Sequence, residues 1–332
     1  MPPFAGACYT GGEATSRGIP SSGLGGAACA TRERRIVRRQ HVLLGVIPIL
    51  LFLMGAAPRG IDDRAGRAWI DAGDGLPWHF GVAALSVGAG EPSTLWLAAY
   101  HPGGLYVSED AGRTWHQEHR GLETLAPLAV LATAEGEVYA GAYTGAYRLA
   151  GGRWERVQSL PAAPAYALAA SGEGQIVCAG FEAAGAYCSP DAGRSWQPIG
   201  LPEATVLSIS IGPEGDVLLG AARRGAWIKV RQDAEARPLD LPAGDEPVHV
   251  PKVAHAAGGR AYLLANGELW ASDAGFQGWR RPSPAGVEAL TFALDVDHPE
   301  TIYLGGRGLW VGREAGARWE EAGQALRKAE II

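Results

Sequence analysis

The segment SEDAGRTW (Ser108–Trp115) recurs further along the chain as SPDAGRSW (Ser189–Trp196), and a shorter copy, SDAGFQGW, spans Ser272–Trp279. An Asp side chain accepts hydrogen bonds from backbone N–H groups a few residues on, and Gly tolerates the positive φ that a tight turn needs. The Trp that ends each copy brings a large apolar surface into the next strand. Each copy therefore predicts a β-hairpin turn followed by a packing anchor.

The recurring side chains are predicted to close and anchor turns, and they are given no catalytic role. They are Ser108, Asp110, Gly112, Trp115, Ser189, Asp191, Gly193, Trp196, Ser272, Asp273 and Trp279. The units at 127–163 and 205–247 lack the segment. Such loss is easier to understand for a folding device than for a site that binds something essential.

Tryptophans mark the period of the repeat. They stand at Trp69, Trp115, Trp154, Trp196, Trp279 and Trp319, at intervals of roughly 40 residues, with one mark missing near Arg237. A period of this length, with several short strands in each unit, is typical of a β-propeller. We predict an all-β fold, a propeller of about six four-stranded blades over residues 66–323, with seven blades as the alternative.

Each unit repeats the same order of strands. Small apolar runs predict innermost strands at 82–87, 128–132, 166–170, 206–211 and 287–292. A second strand, a third strand with a Gly-aromatic start and an outer strand follow. Residues 66–80 read as an orphan outer strand with its linker. They either belong to a partial seventh blade or compete with residues 318–323 for the outer position of the last blade.

The Ser-x-Asp-x-Gly-x-Ser/Thr-Trp pattern resembles the Asp-box, or BNR repeat, of sialidases, sortilin-type receptors and Ycf48-like photosystem assembly factors. Two copies match well, and the third is one residue short between Ser272 and Asp273. The resemblance implies a propeller whose boxes lie at the periphery, between the third and fourth strands of a blade. It implies no particular activity.

The region before the repeats reads as an export segment. Residues 1–31 are rich in Gly, Ala, Ser and Pro and are predicted to be a disordered head. Residues 32–57 combine a basic flank with the apolar run 42–57, which predicts either a cleaved signal peptide or a transmembrane anchor. Residues 58–65 are a linker, and 324–332 form a C-terminal tail. The positive-inside rule places residues 58–332 outside the cytoplasm.

Two further expectations concern the start of the chain and its charge. Residues from Val37 onward read as an ordinary signal start, so residues 1–36 are interpreted as an over-called gene start. The net charge of −6 includes no basic surplus, which argues against non-specific binding of nucleic acid.

The cysteines and the ionisable residues limit which disulfide, metal site or catalytic activity the sequence can support. Cys178 and Cys188 fall on adjacent predicted strands, facing each other across a hairpin, where a disulfide and a pair of buried thiols are both compatible with the pattern. No cluster predicts a metal site, and no cofactor is implied. The resemblance to sialidases would require three converging arginines, a Tyr–Glu pair and an acid/base Asp. That catalytic constellation is not found, so no catalytic residue is assigned.

Binding has more support, because the turns between second and third strands differ sharply between units. We assign candidate binding residues to these tips: Tyr100, His101, Tyr143, Phe181, Glu182, Arg223, Arg224, Asn266 and Arg307. Aromatic and Arg side chains on a rigid scaffold are typical of recognition surfaces. The sequence therefore predicts an exported or membrane-tethered propeller that acts as a protein-binding assembly scaffold at the membrane or cell envelope. Glycan binding is the alternative, and sialidase-like hydrolysis ranks below it.

Overall fold

The structure, a computed structural model, describes residues 74–77, 81–88, 94–101, 103–123, 126–242, 248–295 and 298–322. The predicted head, signal or anchor segment, linker and C-terminal tail lie outside the described residues. Six antiparallel sheets follow one another along the described chain and form the blades of a β-propeller. No helix among these residues has the length and apolarity needed to cross a membrane.

Every blade is built in chain order from its innermost to its outermost strand. Blade 1 contains β1 (Gly81–Val87), β2 (Leu95–His101), β3 (Gly104–Ser108) and β4 (His116–Gln117). Blade 2 contains β5 (Pro127–Ala132), β6 (Val138–Ala142), β7 (Gly145–Ala150) and β8 (Arg153–Arg156). Blade 3 contains β9 (Ala165–Ala170), β10 (Val177–Phe181), β11 (Gly185–Ser189) and β12 (Gln197–Gly200).

The second half of the ring follows the same plan with one variation. Blade 4 contains β13 (Val206–Ile211), β14 (Val217–Ala221), β15 (Gly225–Lys229) and β16 (Arg237–Pro238). Blade 5 contains β17 (Lys252–Ala256), β18 (Arg260–Ala265) and β19 (Glu268–Ala271), and a bridge between Ala271 and Arg280 takes the place of its outer strand. Blade 6 contains β20 (Ala289–Leu294), β21 (Ile302–Gly306), β22 (Gly308–Arg313) and β23 (Arg318–Glu321). Short 3-10 turns span Ala257–Gly259 and Glu314–Gly316.

The last blade decides between six and seven. Its edge is β23, which comes from the C-terminal side of the chain and pairs with β22. Residues 74–77 lie instead beside blade 1, where the Asp74 carbonyl accepts the Trp115 N–H at 2.9 Å. The linker before blade 2 lies beside that blade in the same way, since the Arg120 carbonyl accepts the Trp154 N–H at 2.8 Å. The six-blade prediction is confirmed. Of the outer strand and linker predicted at 66–80, residues 66–73 and 78–80 lie outside the described residues.

Hydrogen bonds to one carboxylate close the turn at Ser108–Trp115. Asp110 accepts the Thr114 N–H at 2.8 Å and the Thr114 hydroxyl at 2.7 Å. The Ser108 hydroxyl donates to Asp110 at 2.8 Å and accepts the Gly112 N–H at 2.8 Å. Donation from Thr114 is the main reason that the pKa of Asp110 falls to about 2. Asp110 is therefore a permanently charged part of the turn at physiological pH.

The second full copy repeats the bonds of the first, and the third does not. Asp191 accepts from the Ser195 hydroxyl and N–H at 2.7 and 2.8 Å, and its pKa also falls to about 2. In the short copy, the Ser272 hydroxyl instead accepts the N–H of Ala261 on β18 at 3.0 Å. The missing residue between Ser and Asp has detached the serine from the turn.

The turn at Ser189–Trp196 also joins neighbouring blades. The hydroxyl of Tyr139, on β6 of blade 2, donates to the carbonyl of Ala192 in blade 3 at 3.3 Å. The Tyr139 ring meets Trp196 edge-on, with ring centroids 6.3 Å apart. A Cβ on Gly193 would collide with the Tyr139 hydroxyl. Gly193 is thus needed both for its φ of 81° and for the close approach of the next blade.

Candidate functional site

The turns that join second to third strands all lie at one end of the propeller, because consecutive strands run antiparallel. Together with the linkers that enter the innermost strands, they form a surface that we call the tip face. Its turns lie between β2 and β3, at 143–144, 182–184, 222–224 and 266–267, and at Arg307. The opposite end carries the turns that resemble Asp-boxes.

The structure places most of the predicted binding residues at exposed positions of the tip face. Those described as exposed are Tyr143, Glu182, Arg223, Arg224, Asn266 and Arg307. Tyr143 leaves 53% of its surface accessible, the most of any large apolar residue described. Tyr100 and His101 lie at the end of β2, where the structure describes the backbone alone.

Phe181 is a correction to the predicted set. It is the last residue of β10 and is 0% exposed. Its ring packs edge-on against Tyr187, with centroids 5.8 Å apart. The sequence pattern placed it at the tip, whereas the turn begins one residue later, at Glu182. Phe181 belongs to the core between blades 2 and 3 and offers no surface to a ligand.

Some tip residues owe their identity to the turn. Arg223 and Asn266 have φ angles of 59° and 48°, a left-handed conformation in which Asn is favoured. The Asn266 side-chain oxygen accepts the His249 N–H at 3.0 Å and ties the tip to the linker before β17. Asn266 therefore has a structural role, while the geometry of the turn does not require the charge of Arg223 or of its neighbour Arg224.

An aromatic and acidic group lies where the tips of blades 2 and 3 meet. Burial raises the pKa of Tyr166, and the charge of Glu182 and the nearby Tyr143 raise it further. A Thr144–Tyr147 hydroxyl contact of 2.7 Å extends this polar group along blade 2. Tyr166 was missed as a candidate because its sequence context is that of an ordinary innermost strand.

The innermost strands of all six blades surround a central cavity of about 530 Å³. In five of these strands, the pairing with the second strand skips one residue near the tip-face end. The residue skipped by each shift lines the cavity; these residues are Ala83, Leu128, Tyr166, Leu207 and Leu290. Such bulges redirect side chains, here toward the axis.

Lys252, on β17, is the only charged side chain among the described residues that line this cavity. Its Nζ donates to the Thr291 hydroxyl at 3.2 Å and lies 6.0 Å from the centre of the Phe292 ring. Burial lowers the pKa of Lys252 from its ordinary value, because desolvation penalises the ammonium. Sequence reasoning did not single out this lysine.

A Ser–His–Asp group lies between blades 4 and 5. His255 Nε2 is 2.7 Å from the Asp216 carboxylate, and Nδ1 is 3.0 Å from the Ser210 hydroxyl. Ser210 also accepts the backbone N–H of His255 at 2.9 Å. Comparable bonds join Ser208 to Val253 in the same pair of blades and Ser86 to Ala132 in blades 1 and 2. The group is thus one of several serine ties between innermost strands, and it stabilises the ring.

The tie between blades 4 and 5 is expected to weaken in acid. Burial lowers the pKa of His255, and the charge of Asp216 opposes this shift without cancelling it. A folded-state pKa below the ordinary 6.5 means that unfolded chains bind more protons, so the stabilisation is complete above pH 6.5 and is lost as pH falls through the folded value. The urea midpoint should therefore fall between pH 7.5 and 5, and this fall should be smaller in His255→Gln. Equal pH dependence in both proteins would contradict the assignment.

Two features bear on metals and covalent links. Within the described part of the chain, no group of three or more His, Cys, Asp or Glu side chains is arranged to hold a metal ion.

Cys178 and Cys188 face each other across β10 and β11 and form a disulfide whose Cα atoms lie 4.1 Å apart. Both residues pack in the core between blades 3 and 4.

Comparison with known proteins finds likeness in structure alone. No family model and no curated protein matches the sequence. A xyloglucanase from Xanthomonas campestris matches with a TM-score of 0.57 and 20% identity, over 70% of this chain and 45% of its own. The extracellular domain of the one-component system BT4673 from B. thetaiotaomicron matches with a TM-score of 0.63 and 15% identity, over 78% of this chain and 36% of its own. YCF48 from Cyanidioschyzon merolae matches with a TM-score of 0.59 and 15% identity, over 76% of this chain and 88% of its own.

These matches establish the fold. The chain spans less than half of the length of the xyloglucanase and of the BT4673 domain, and identities are 20% or lower. YCF48 is matched over most of its length, and it has also been solved bound to a D1 peptide. A xyloglucanase, the extracellular domain of a one-component system and a protein solved with a bound peptide thus share the fold.

Proposed function

We propose that this protein is an extracytoplasmic scaffold that binds a protein partner through the tip face, without catalysis. The observation that carries the proposal is that exposed Arg223 and Arg224 stand together on a rigid tip of blade 4. No ion pair to either is recorded in the described structure, and their backbone turn does not call for arginine. Exposed arginines on a fixed framework are suited to pair with carboxylates of a partner.

Three features support the wider setting. The Cys178–Cys188 disulfide is typical of an oxidising compartment outside the cytoplasm. The apolar run 42–57 would provide export or tethering at the membrane. The turns at Ser108–Trp115 and Ser189–Trp196 have the bonding expected of Asp-boxes, and we assign the chain to the propellers that carry them. YCF48, which has been solved with a D1 peptide, is a precedent for a propeller that holds a peptide.

The test is affinity capture from native membranes with the full-length protein. The Arg223→Glu/Arg224→Glu variant should lose a partner that the unaltered protein retains. Arg231→Glu/Arg237→Glu is the matched control, because it makes the same charge change on exposed arginines of blade 4 away from the tip face. It should retain the partner. Loss in both variants, or in neither, would contradict binding through the Arg223–Arg224 tip.

Glycan binding is the second candidate, and the group of Tyr143, Tyr166 and Glu182 favours it. An exposed tyrosine beside a carboxylate provides a stacking surface and an acceptor for sugar hydroxyls. If purified envelope glycan binds and Tyr143→Ala abolishes that binding, while no protein is captured, the glycan function replaces the protein scaffold.

A further inference from the structure

At one position of the innermost strands, the type of side chain differs between blades. Six residues occupy this position, because each pairs with the corresponding residue of the second strand in its own blade: Ala84, Ala129, Ala167, Ser208, Lys252 and Thr291. All six line the central cavity. Five have small side chains, which suit a crowded axis. Blade 5 instead places a long cationic side chain at this level of the channel.

The surroundings of Lys252 leave its charge uncompensated by the cavity wall. No carboxylate appears among the described lining residues, and the recorded polar partner of Nζ is the neutral Thr291 hydroxyl. The Phe292 ring nearby is apolar apart from its weak attraction for cations. Lys252 is half-buried, so its ammonium has lost part of its hydration without gaining a counterion, and this is costly. An anion in the channel would relieve that cost.

The remainder of the cavity is suited to an apolar group. The skipped residues Leu128, Tyr166, Leu207 and Leu290 line it near the tip face, and Leu290 keeps 39% of its surface exposed. The volume of about 530 Å³ falls within the range of about 300–1,000 Å³ that small-molecule sites occupy. Polar groups make up a similar share of the lining, but the water beside these leucines lies against aliphatic surface, so displacing it with an apolar ligand group is favourable.

We propose that the central channel is a binding site for a small carboxylic acid with an apolar body. The carboxylate pairs with the Lys252 ammonium and accepts a hydrogen bond from the Thr291 hydroxyl. The apolar body lies among the leucines and Tyr166 toward the tip face. This site is separate from the Arg223–Arg224 tip, so it does not depend on the proposed protein partner.

Calorimetric titration of the full-length protein with octanoate and with its neutral counterpart octanol tests the proposal. Octanoate should bind at least tenfold more tightly, as expected for a charge-assisted hydrogen bond. Lys252→Met should remove that preference and keep octanol binding, while Lys252→Arg should retain it. Lys229→Met is the control, since Lys229 lies on β15 and does not line the cavity. Each variant is first checked for an unchanged unfolding midpoint.

A second readout uses the unaltered protein and does not depend on the folding of a variant. Octanoate should slow acetylation of Lys252 by acetic anhydride, measured by peptide mass spectrometry, while Lys229 reacts at an unchanged rate. The proposal is overturned if octanoate does not bind, if octanoate and octanol bind equally, or if octanoate leaves the acetylation of Lys252 unchanged.

Discussion

Replacing Trp154 with Ala is expected to lower the free energy of unfolding by about 3–5 kcal/mol, the usual cost of removing a large buried aromatic. Trp154 is 1% exposed and packs edge-on against Trp96 of the preceding blade, with ring centroids 6.0 Å apart. Its Nε1 donates to the Glu118 carbonyl at 3.1 Å. The substitution opens a cavity between blades 1 and 2 and leaves this carbonyl without its donor. Urea unfolding measures the loss.

Two companions separate packing from other effects. Trp154→Phe keeps much of the ring and loses the hydrogen bond, so its loss should be clearly smaller than that of Trp154→Ala. Tyr143→Ala removes an exposed ring and should change stability by no more than about 0.5 kcal/mol. A loss for Trp154→Ala as small as that for Tyr143→Ala would show that the contact between blades 1 and 2 is not as described.

Removing the disulfide should cost about 2.5 kcal/mol, the loop-closure effect expected for cysteines separated by 10 residues. The bond constrains the unfolded chain, and both side chains are also buried between blades 3 and 4. Cys178→Ala/Cys188→Ala should therefore unfold at lower urea concentration than the oxidised protein. The comparison is made with and without a reducing agent.

The reducing agent provides the control. It should lower the midpoint of the unaltered protein toward that of the double variant and leave the variant itself unchanged. If reduction shifts both proteins equally, or shifts neither, then the Cys178–Cys188 bond does not stabilise the protein in solution.

The repeat predicted the fold well because its signals are local. Turn chemistry at Ser108–Trp115 and Ser189–Trp196 and the spacing of tryptophans gave the number of blades, and outer strand β16 lies at Arg237, where the missing mark was expected. The innermost strand of blade 6 was predicted two residues too early, since it spans Ala289–Leu294. The innermost strand of blade 5, Lys252–Ala256, was not predicted, since a lysine and a histidine interrupt its apolar pattern.

The candidate sites depended on register, which composition does not reveal. Phe181 was assigned to a tip although it ends a buried strand, because one residue separates the core from the turn. Tyr166 and Lys252 were overlooked for a related reason. A register shift turns Tyr166 toward the axis, and only the pairing of β17 with β18 shows that Lys252 replaces a small residue. Side chains around a channel come from six distant segments, so no local pattern identifies them.

The serine ties between innermost strands have a consequence for cooperativity. Ser86, Ser208 and Ser210 each accept a backbone N–H from the following blade. If one of these blades opened alone, its neighbour would lose a hydrogen-bond partner at the axis as well as apolar contact. Local opening of a single blade is therefore penalised twice, at each of its boundaries that carries a tie. The modules that look independent in sequence are thereby made to fold and unfold with their neighbours.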